Sequence, residues 1–394
     1  PALEATIHGA ALPAQIRAIK AEGIAHVKLM DATPIGINVR STVATYAGVH
    51  DDLRKLYAKS ADAKERGYRA SDFSYNTGSL RCPGCDGTGV ISLDVQFLPD
   101  VNIPCPDCRG SRYARAAYDV KLTNKAGKCV SLPELMELDV NSAIDFCKDM
   151  KTIRQKLNIL KQLGLGYLTL GEETPSLSGG EAQRLKLASE IGKTQADSVF
   201  LFDEPSIGLH PLDVRVLLGV FQALLDSGAT VIVIEHDLDV IRNADYVIDM
   251  GPGAGELGGE VVAAGTPEEI MKVEGSLTAQ YLSGRKCVPI PAERRHPRRG
   301  SIQLKGASEN NLKKVDLTVP LGTLTLITGV SGSGKSSLIT DTLAPALANR
   351  VNHAHRKTGE YRRLLGAERI DKVINIDQSP IGRTPRSNPA TYIG

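Results

Sequence analysis

The sequence Leu177-Ser178-Gly179-Gly180-Glu181-Ala182-Gln183-Arg184 decides the fold, and it opens a long helix-forming run. A polar cap followed by two glycines directs several free backbone N–H groups, together with the positive end of the helix dipole, at one point. Such a point binds anions and suits the terminal phosphate of a nucleotide. Two glycines before a helix are more often an ordinary cap, so this interpretation depends on the motifs that lie on either side.

Length and composition indicate a soluble globular protein with more than one domain. The chain has 394 residues, of which 42% are hydrophobic and 23% charged, and this length allows two or three cored domains. A formal net charge of +2 means that any nucleic-acid surface is a local patch. We find no apolar run of about eighteen residues and no signal peptide. We therefore expect a cytoplasmic protein that does not enter a membrane.

Four of the seven cysteines form two CxxC pairs. Cys82-Pro83-Gly84-Cys85 and Cys105-Pro106-Asp107-Cys108 are separated by nineteen residues, a spacing that places four thiolates around one zinc ion. Between them, residues 90–97 alternate like a strand and residues 98–100 favour a turn, which predicts a zinc-stapled β-hairpin. The alternative is a group of four buried free thiols.

Basic residues flank this zinc motif and are candidate contacts for DNA phosphates. They are Arg81, Arg109 and Arg112, with Tyr113 and Arg115 close by. Basic surface beside a zinc knuckle is often only solvated, so these residues alone leave DNA contact open.

Two predicted buried strands end in residues that suit ATP hydrolysis. The strand at 198–203 ends at Asp203-Glu204, and the strand at 230–234 is followed by Glu235-His236. The carboxyl ends of parallel strands meet where α/β proteins bind ligands. Asp203 can hold Mg²⁺ through water, and Glu204 can orient the attacking water. His236 can contact a γ-phosphate, although a lone histidine is more often structural.

A second phosphate motif follows a change in composition. Residues 286–300 are rich in proline and arginine, which predicts a solvated linker rather than a DNA-binding arm. A strand is then predicted at 324–328, followed by Gly329-Val330-Ser331-Gly332-Ser333-Gly334-Lys335-Ser336 and a helix. This order fits the P-loop motif G-x-x-x-x-G-K-[ST] in its strand–loop–helix context. The backbone N–H groups would cradle the β-phosphate, Lys335 would neutralise β/γ oxygens, and Ser336 would bind Mg²⁺.

An internal repeat indicates how these pieces are organised. Residues 27–48 and 373–394 match at a constant offset of 346, with DATPIGINVRSTVATYAG in the first copy and DQSPIGRTPRSNPATYIG in the second. The first copy of the repeat is followed by the Ser178 helix start and the strands that end at Asp203 and Ile234. The second copy is preceded by the P-loop motif. We therefore expect the back half of one nucleotide-binding unit joined to the front half of the next, as in a fragment of a longer tandem protein. Residues 51–70 are expected to form an amphipathic helix that serves as a solvated connector.

These motifs resemble those of the UvrA family within the ABC ATPase superfamily. Its signature, Walker B with D-loop, and switch-histidine motifs correspond to LSGGEAQR (177–184), FDEPSIGLH (202–210) and IEHDLDVI (234–241). Its second-cassette Walker A and Q-loop correspond to GVSGSGKSS (329–337) and IDQSPIGRTPRSNPATY (376–392). The cysteine segment is similar to the C-terminal zinc module of the family, and SLTAQYLSGR (276–285) is similar to the tail of its first cassette.

The resemblance implies an α/β fold with ABC-type P-loop ATPase cores, a helical signature subdomain and an inserted zinc-stapled β-hairpin module. It implies ATP, Mg²⁺ and Zn²⁺ as cofactors and ATP-gated binding of damaged double-stranded DNA in nucleotide excision repair. It also implies a homodimer of the full-length protein and a UvrB-type partner. The ATP-binding residues that carry over are Gly329, Ser331, Gly332, Ser333, Gly334, Lys335, Ser336, Ser337, Gln378, Ser178, Gly179, Gly180 and Glu181, and the catalytic residues are Asp203, Glu204 and His236.

The sequence departs from the family at two places. Ala32 stands where the Q-loop glutamine is expected, aligned with Gln378, and only 41 residues separate Ser336 from Gln378. The first departure leaves open how the first cassette coordinates Mg²⁺ and water. The second leaves no room for the partner-binding insertion, which leaves a UvrB partner open. Two alternatives therefore stay open: a UvrA-like ABC protein of antibiotic resistance, and a zinc-knuckle chaperone or binding module with vestigial hydrolysis.

The family pattern also predicts how the sites are shared. The Lys335 loop should face the Ser178 helix start across one nucleotide, while Glu204 and His236 serve the opposite site. The rival arrangement is one permuted cassette in which Lys335 lies beside Glu204. The expected divisions are the Q-loop region and start of the helical subdomain at 1–71, the zinc module at 72–120, the signature, Walker B and switch part at 121–285, the linker at 286–300, and the second-cassette part at 301–394.

Overall fold

The computed structural model describes residues 1–31, 35, 40–93, 101–191 and 195–376. The chain divides into two compact units, Pro1–Val288 and Pro289–Gly394, and this division falls inside segment 286–300. The residues of that segment are exposed. Among the described helices, none is both long enough and apolar enough to cross a bilayer.

The strands of the first unit form one parallel sheet and several antiparallel pairs. They are β1 (His26–Met30), β2 (Val90–Leu93), β3 (Val101–Pro104), β4 (Lys121–Thr123), β5 (Cys129–Ser131), β6 (Ser198–Asp203), β7 (Thr230–Ile234), β8 (Val247–Gly251) and β9 (Glu260–Gly265). The parallel sheet has the order β1-β6-β7, with Met30 opposite Phe202 and Asp203 opposite Ile234. The pairs β2-β3, β4-β5 and β8-β9 are antiparallel.

The central strand β6 is the most buried part of the parallel sheet. Val199, Phe200 and Phe202 are all buried, because an apolar run suits a strand that is covered on both faces. Strand β7 lies at the edge of the sheet, and its Ile232 and Ile234 are exposed. The strands predicted at 198–203 and 230–234 are confirmed.

The helices of the first unit include a helical region that supplies much of its core. They are α1 (Ala2–Ile7), α2 (Val43–Tyr46), α3 (Val49–Tyr57), α4 (Ala61–Glu65), α5 (Leu132–Met136), α6 (Val140–Phe146), α7 (Lys151–Gln162), α8 (Gly179–Ala188), α9 (Pro211–Asp226), α10 (Leu238–Arg242), α11 (Pro267–Ile270) and α12 (Leu277–Leu282). The prediction of a solvated connector helix over 51–70 is wrong. Helix α3 buries Val49, Leu53 and Tyr57, which recur every four residues and therefore form one apolar face.

A buried histidine lies on the same face of α3. The Nε2 atom of His50 is 2.8 Å from the hydroxyl of Tyr113, and that hydroxyl donates to the Phe73 carbonyl oxygen at 2.9 Å. Because the hydroxyl proton is already donated, His50 acts as the donor through Nε2. Burial lowers the pKa of His50 to about 3.

The second unit has an antiparallel sheet packed against a helix. Strands β10 (Ser301–Ala307), β11 (Val315–Pro320) and β12 (Arg363–Leu365) lie in the order β11-β10-β12. Helix α13 (Lys335–Leu338) continues through the π-helical residues Ile339–Leu343 into α14 (Ala344–Val351). Leu304, Leu347 and Leu364 form part of the core between the sheet and the helix.

The strand predicted at 324–328 is not present in this structure. Leu324 is 94% exposed and Leu326 is 81% exposed. A strand is defined by the partner to which its backbone bonds, and the sheet of the second unit pairs only β10, β11 and β12 among the described residues. The backbone of residues 324–328 therefore has no partner strand among the described residues.

Candidate nucleotide and zinc sites

The signature sequence forms the start of α8, as its cap residues require. Ser178 is the N-cap, its hydroxyl accepts from the Glu181 amide at 3.4 Å, and its own amide donates to Glu181 Oε2 at 2.7 Å. The hydroxyl of Tyr167 also donates to the Glu181 carboxylate. This reciprocal cap fixes the position of Gly179 and Gly180 at the helix start.

Two side chains anchor α8 to the end of β1. Gln183 is buried, and its amide nitrogen donates to the Met30 carbonyl oxygen at 2.6 Å. Lys186 donates to Asp31 Oδ1 at 2.7 Å. Because both anchors lie at the carboxyl end of β1, the helix start is tied to the edge of the sheet where α/β proteins bind ligands.

The predicted catalytic pair meets at the ends of β6 and β7. The Nε2 atom of His236 is 3.3 Å from Glu204 Oε1. The Glu204 amide donates to the Ile234 carbonyl oxygen at 2.9 Å, so backbone pairing continues one residue beyond β6. Glu204 has a φ of 44°, a left-handed conformation that is uncommon for a residue with a side chain. Asp203 is exposed at the same strand end.

The P-loop of the second unit is shaped by glycines and held by two asparagines. Gly332 and Gly334 have φ values of 71° and 93°. Asn311 donates to the Gly332 carbonyl oxygen at 2.8 Å, and Asn310 donates to Ser337 Oγ at 3.0 Å. Neither asparagine was among the residues expected from the sequence, because they precede β11 and lie about twenty residues before the loop. The signal in the sequence is the pair of adjacent amides, Asn310-Asn311, which the structure places just before β11.

The Lys335 side chain lies across the concave face of this loop. Its Nζ atom donates to the Gly329 carbonyl oxygen at 2.7 Å and to the Val330 carbonyl oxygen at 2.8 Å. A phosphate bound in the loop would accept these donors in place of the carbonyls. Gln378, the expected Q-loop ligand, lies outside the described residues, as does Ala32.

The four predicted cysteine ligands converge. Cys82, Cys85, Cys105 and Cys108 are buried, and their Sγ atoms all lie within 4.8 Å of one another. The Cys82–Cys105 and Cys85–Cys108 Sγ distances are 3.9 and 3.6 Å. Four thiolates at a Zn–S distance of about 2.3 Å would stand about 3.8 Å apart in a tetrahedron. The geometry therefore fits zinc.

The surroundings of the sulfurs also favour a cation. Both knuckles turn through consecutive left-handed residues, Asp86-Gly87 and Arg109-Gly110. Past the first turn, the Gly89 amide donates to Cys85 Sγ at 3.2 Å. Burial raises the pKa of the Cys108 thiol to about 12, and a bound divalent cation would stabilise the thiolate of this residue at neutral pH. Strands β2 and β3 join the two knuckles, and the predicted turn at 98–100 lies outside the described residues.

The predicted DNA-contacting arginines differ in their environments. Arg112 is only 4% exposed and forms an ion pair with Glu173, with 2.7 Å between Nη2 and Oε1. The expectation that Arg112 contacts DNA therefore needs correction, because its guanidinium is already paired inside the protein. Arg81 pairs with Asp86 at 2.9 Å. Arg109 is exposed and forms no ion pair with the described residues.

Comparisons with known proteins identify the family. No protein-family model matches the chain. UvrABC system protein A of Listeria innocua is 46% identical over 314 residues, which cover 76% of this chain and 32% of the relative. The protein of the same name from Bacillus subtilis is 47% identical over 304 residues, which cover 74% and 31%.

Over these residues, the chain belongs to the UvrA family. The crystal structure of UvrA2 from Deinococcus radiodurans agrees, with a TM-score of 0.63 at 42% identity over 67% of this chain and 32% of that one. The fold class implied by the motifs, an α/β ABC-type ATPase core with a helical subdomain and a zinc module, is thereby confirmed. The chain spans about a third of the length of the curated UvrA relatives that it matches.

Proposed function

We propose that the chain is the nucleotide-binding and zinc-binding part of an ATP-dependent DNA-damage-recognition ATPase of nucleotide excision repair. The pairing of Glu204 with His236 at the ends of two parallel strands carries this proposal. A carboxylate and an imidazole in contact at this edge can orient a water molecule and contact a γ-phosphate. A vestigial site would have no need to keep this pair, particularly with Glu204 in a left-handed conformation.

Each motif has a role in this proposal. The N–H groups of 329–334 and Lys335 bind the phosphates of one nucleotide, and Ser336 is a ligand for its Mg²⁺. Asp203 is a Mg²⁺ ligand at the opposite site, beside Glu204 and His236. At either site, bound Mg²⁺ would neutralise phosphate charge. Ser178, Gly179 and Gly180 present N–H groups and a hydroxyl to a γ-phosphate. Gln378 completes the P-loop site. The expectation that the Lys335 loop and the start of α8 share one nucleotide stays a prediction.

The partners follow from the family. Damaged duplex DNA is the proposed target, with exposed Arg109 as the first candidate for a phosphate contact and Arg81 as the second. The name of the relatives, UvrABC system protein A, supports a UvrB-type partner. A homodimer of the full-length protein and a cytoplasmic location are proposed with it.

Nucleotide and DNA binding by the purified chain test the proposal. Affinity for MgATP is measured with the wild type, Lys335→Ala and the matched exposed-lysine control Lys372→Ala. Affinity for DNA is measured with an undamaged duplex, a duplex carrying one bulky thymine adduct, and a duplex loaded with a noncovalent intercalator. ATP turnover is recorded for the wild type and Glu204→Gln.

The expected result is MgATP binding that falls at least tenfold in Lys335→Ala alone, with a preference for the adducted duplex. Turnover should be slow, because the motifs present do not make up a complete catalytic set. Abolition of that turnover by Glu204→Gln would favour the rival arrangement, in which Lys335 and Glu204 serve one site. A preference for the intercalated duplex would favour the drug-resistance alternative. Absence of nucleotide binding would refute the ATPase proposal and favour a zinc-dependent binding module.

A further inference from the structure

The carboxylate of Glu235 connects the two loops that carry the catalytic pair. Its Oε1 atom accepts from the Ser206 amide at 2.8 Å. Its Oε2 atom accepts from the Ser206 hydroxyl at 2.9 Å, from the His236 amide at 2.8 Å and from the Asp237 amide at 3.1 Å. One side chain therefore receives four hydrogen bonds, two from the loop after β6 and two from the loop after β7.

The Glu235 carboxylate connects the two loops just beyond the last backbone hydrogen bond between β6 and β7. Asp203 pairs with Ile234, and the Glu204 amide still reaches the Ile234 carbonyl oxygen at 2.9 Å. Beyond that point the hydrogen bonds between the two loops run through the Glu235 side chain to Ser206. The carboxylate thus extends the connection between β6 and β7 past the end of the sheet.

The geometry of the catalytic pair depends on that connection. His236 is held by its amide to Glu235 and by its imidazole to Glu204, and Glu204 lies on the loop that Glu235 binds through Ser206. Glu204 also has a φ of 44°, which persists only where the surroundings enforce it. Without the carboxylate, Ser206 and the His236 backbone would each bond to water and move independently.

We propose that Glu235 is a positioning residue that fixes the distance between Glu204 and His236. The proposal rests on the catalytic role proposed for that pair. A carboxylate is required because both oxygens act only as acceptors, whereas the amide of a glutamine has a single acceptor oxygen. Charge also matters, since hydrogen bonds to an ionised acceptor are about twice as strong as neutral ones.

Selective labelling of histidine provides a test that does not depend on turnover. The ¹⁵N shift of His236 Nε2 is measured in the full chain and assigned with His236→Asn. It is compared among the wild type, Glu235→Ala, Glu235→Gln and Glu204→Ala. Glu269→Gln is the matched control, because Glu269 also accepts a backbone amide, that of Thr266 at 2.9 Å, and caps α11 away from this pair.

The expected result is that Glu235→Ala and Glu235→Gln move the Nε2 resonance toward its position in Glu204→Ala, while Glu269→Gln leaves it unchanged. Hydrogen exchange at the Ser206 and His236 amides should become at least tenfold faster in Glu235→Ala. An unchanged Nε2 resonance with faster amide exchange would overturn the proposal and leave Glu235 a merely structural loop contact.

Steady-state kinetics separates this inference from the proposed function. If the chain hydrolyses ATP and Glu204→Gln abolishes that turnover, Glu235→Gln should lower kcat at least tenfold and leave KM for ATP within about twofold, because the residue orients groups that act on the bound phosphate. A wild-type chain that binds no nucleotide would refute the proposed function, while the Nε2 resonance would still decide the role of Glu235.

Discussion

Replacing Arg112 should destabilise the first unit and leave DNA contacts intact. Arg112 is 4% exposed, its Nη2 atom is 2.7 Å from Glu173 Oε1, and its guanidinium carbon is 5.3 Å from the centre of the Tyr75 ring. Its carbonyl oxygen also accepts from the Cys82 amide at 2.9 Å, so the residue joins the zinc knuckle to the segment that leads into α8. Arg112→Ala removes the side-chain contacts and keeps the backbone bond.

The expected loss follows from those contacts. Removing one partner of a buried ion pair costs about 3–5 kcal/mol, but the Glu173 side chain is 31% exposed and can be rehydrated, which favours about 2–3 kcal/mol. The cation–π contact adds about 1 kcal/mol. The Nη1 atom of Arg112 is buried and has no hydrogen-bond partner among the described residues, and its removal returns about 1 kcal/mol. The net loss of unfolding free energy is therefore roughly 2–3 kcal/mol, or ~5 °C in Tm for a unit of this size.

Thermal unfolding and a salt series of DNA affinities together test this reasoning. Arg109→Ala is the matched control, because Arg109 follows Cys108 of the second CxxC pair and is exposed. We expect Arg112→Ala to lower Tm without changing the dependence of affinity on salt. Arg109→Ala should leave Tm unchanged and reduce the slope of log affinity against log salt by about 1, if it contacts a phosphate. A Tm shift below about 1 °C for Arg112→Ala, with a reduced salt slope, would refute the structural role.

Three further predictions concern zinc, pH and the P-loop. Elemental analysis should find about one zinc per chain, and Cys105→Ser should lose it together with thermal stability; a metal-free chain with the same Tm would contradict the site. His50 has a folded pKa of about 3 against 6.5 for its ordinary value, so below pH 6.5 the unfolded chain takes up a proton that the folded chain refuses. Stability should therefore fall by roughly 1.4 kcal/mol per pH unit between about pH 6.5 and 3, and His50→Gln should remove that component of the slope. Asn311→Ala should weaken MgADP binding about fivefold, the value of one hydrogen bond of about 1 kcal/mol, whereas Lys335→Ala should weaken it more. Equal binding by Asn311→Ala and wild type in titration calorimetry would contradict the role of Asn311.

The parts of the fold with local causes could be predicted from the sequence. The apolar runs before Asp203 and before Glu235 specify the strands β6 and β7, and Ser178 with Glu181 specifies the start of α8. The cysteine spacing specifies the metal cluster. Each of these signals acts within a few residues, or through a fixed pattern of ligands, so no knowledge of the packing is needed.

The remaining features depend on contacts between distant segments. Residues 324–328 have a strand pattern, but no partner strand pairs with them in the described part of the chain. Arg112 looks like a surface arginine in the sequence, and only the position of Glu173, 61 residues away, shows that it is buried. Helix α3 was expected to be solvated because charged residues lie between Val49, Leu53 and Tyr57 and obscure the four-residue spacing of the buried face. Asn311 and Glu235 act through hydrogen bonds to Gly332 and Ser206, which lie far from them in the sequence.

Among the described residues, no further strand pairs with the outer edge of β7, and this has a practical consequence for anyone who handles this protein. Its sequence, Thr230-Val231-Ile232-Val233-Ile234, contains no proline, lysine or other charged residue that would discourage another strand from adding to it. Concentrated stocks should therefore self-associate edge to edge, and storage conditions that strengthen apolar contacts, such as high sulfate, should make this worse. A single lysine at the exposed position 232 would give a preparation that stays dispersed.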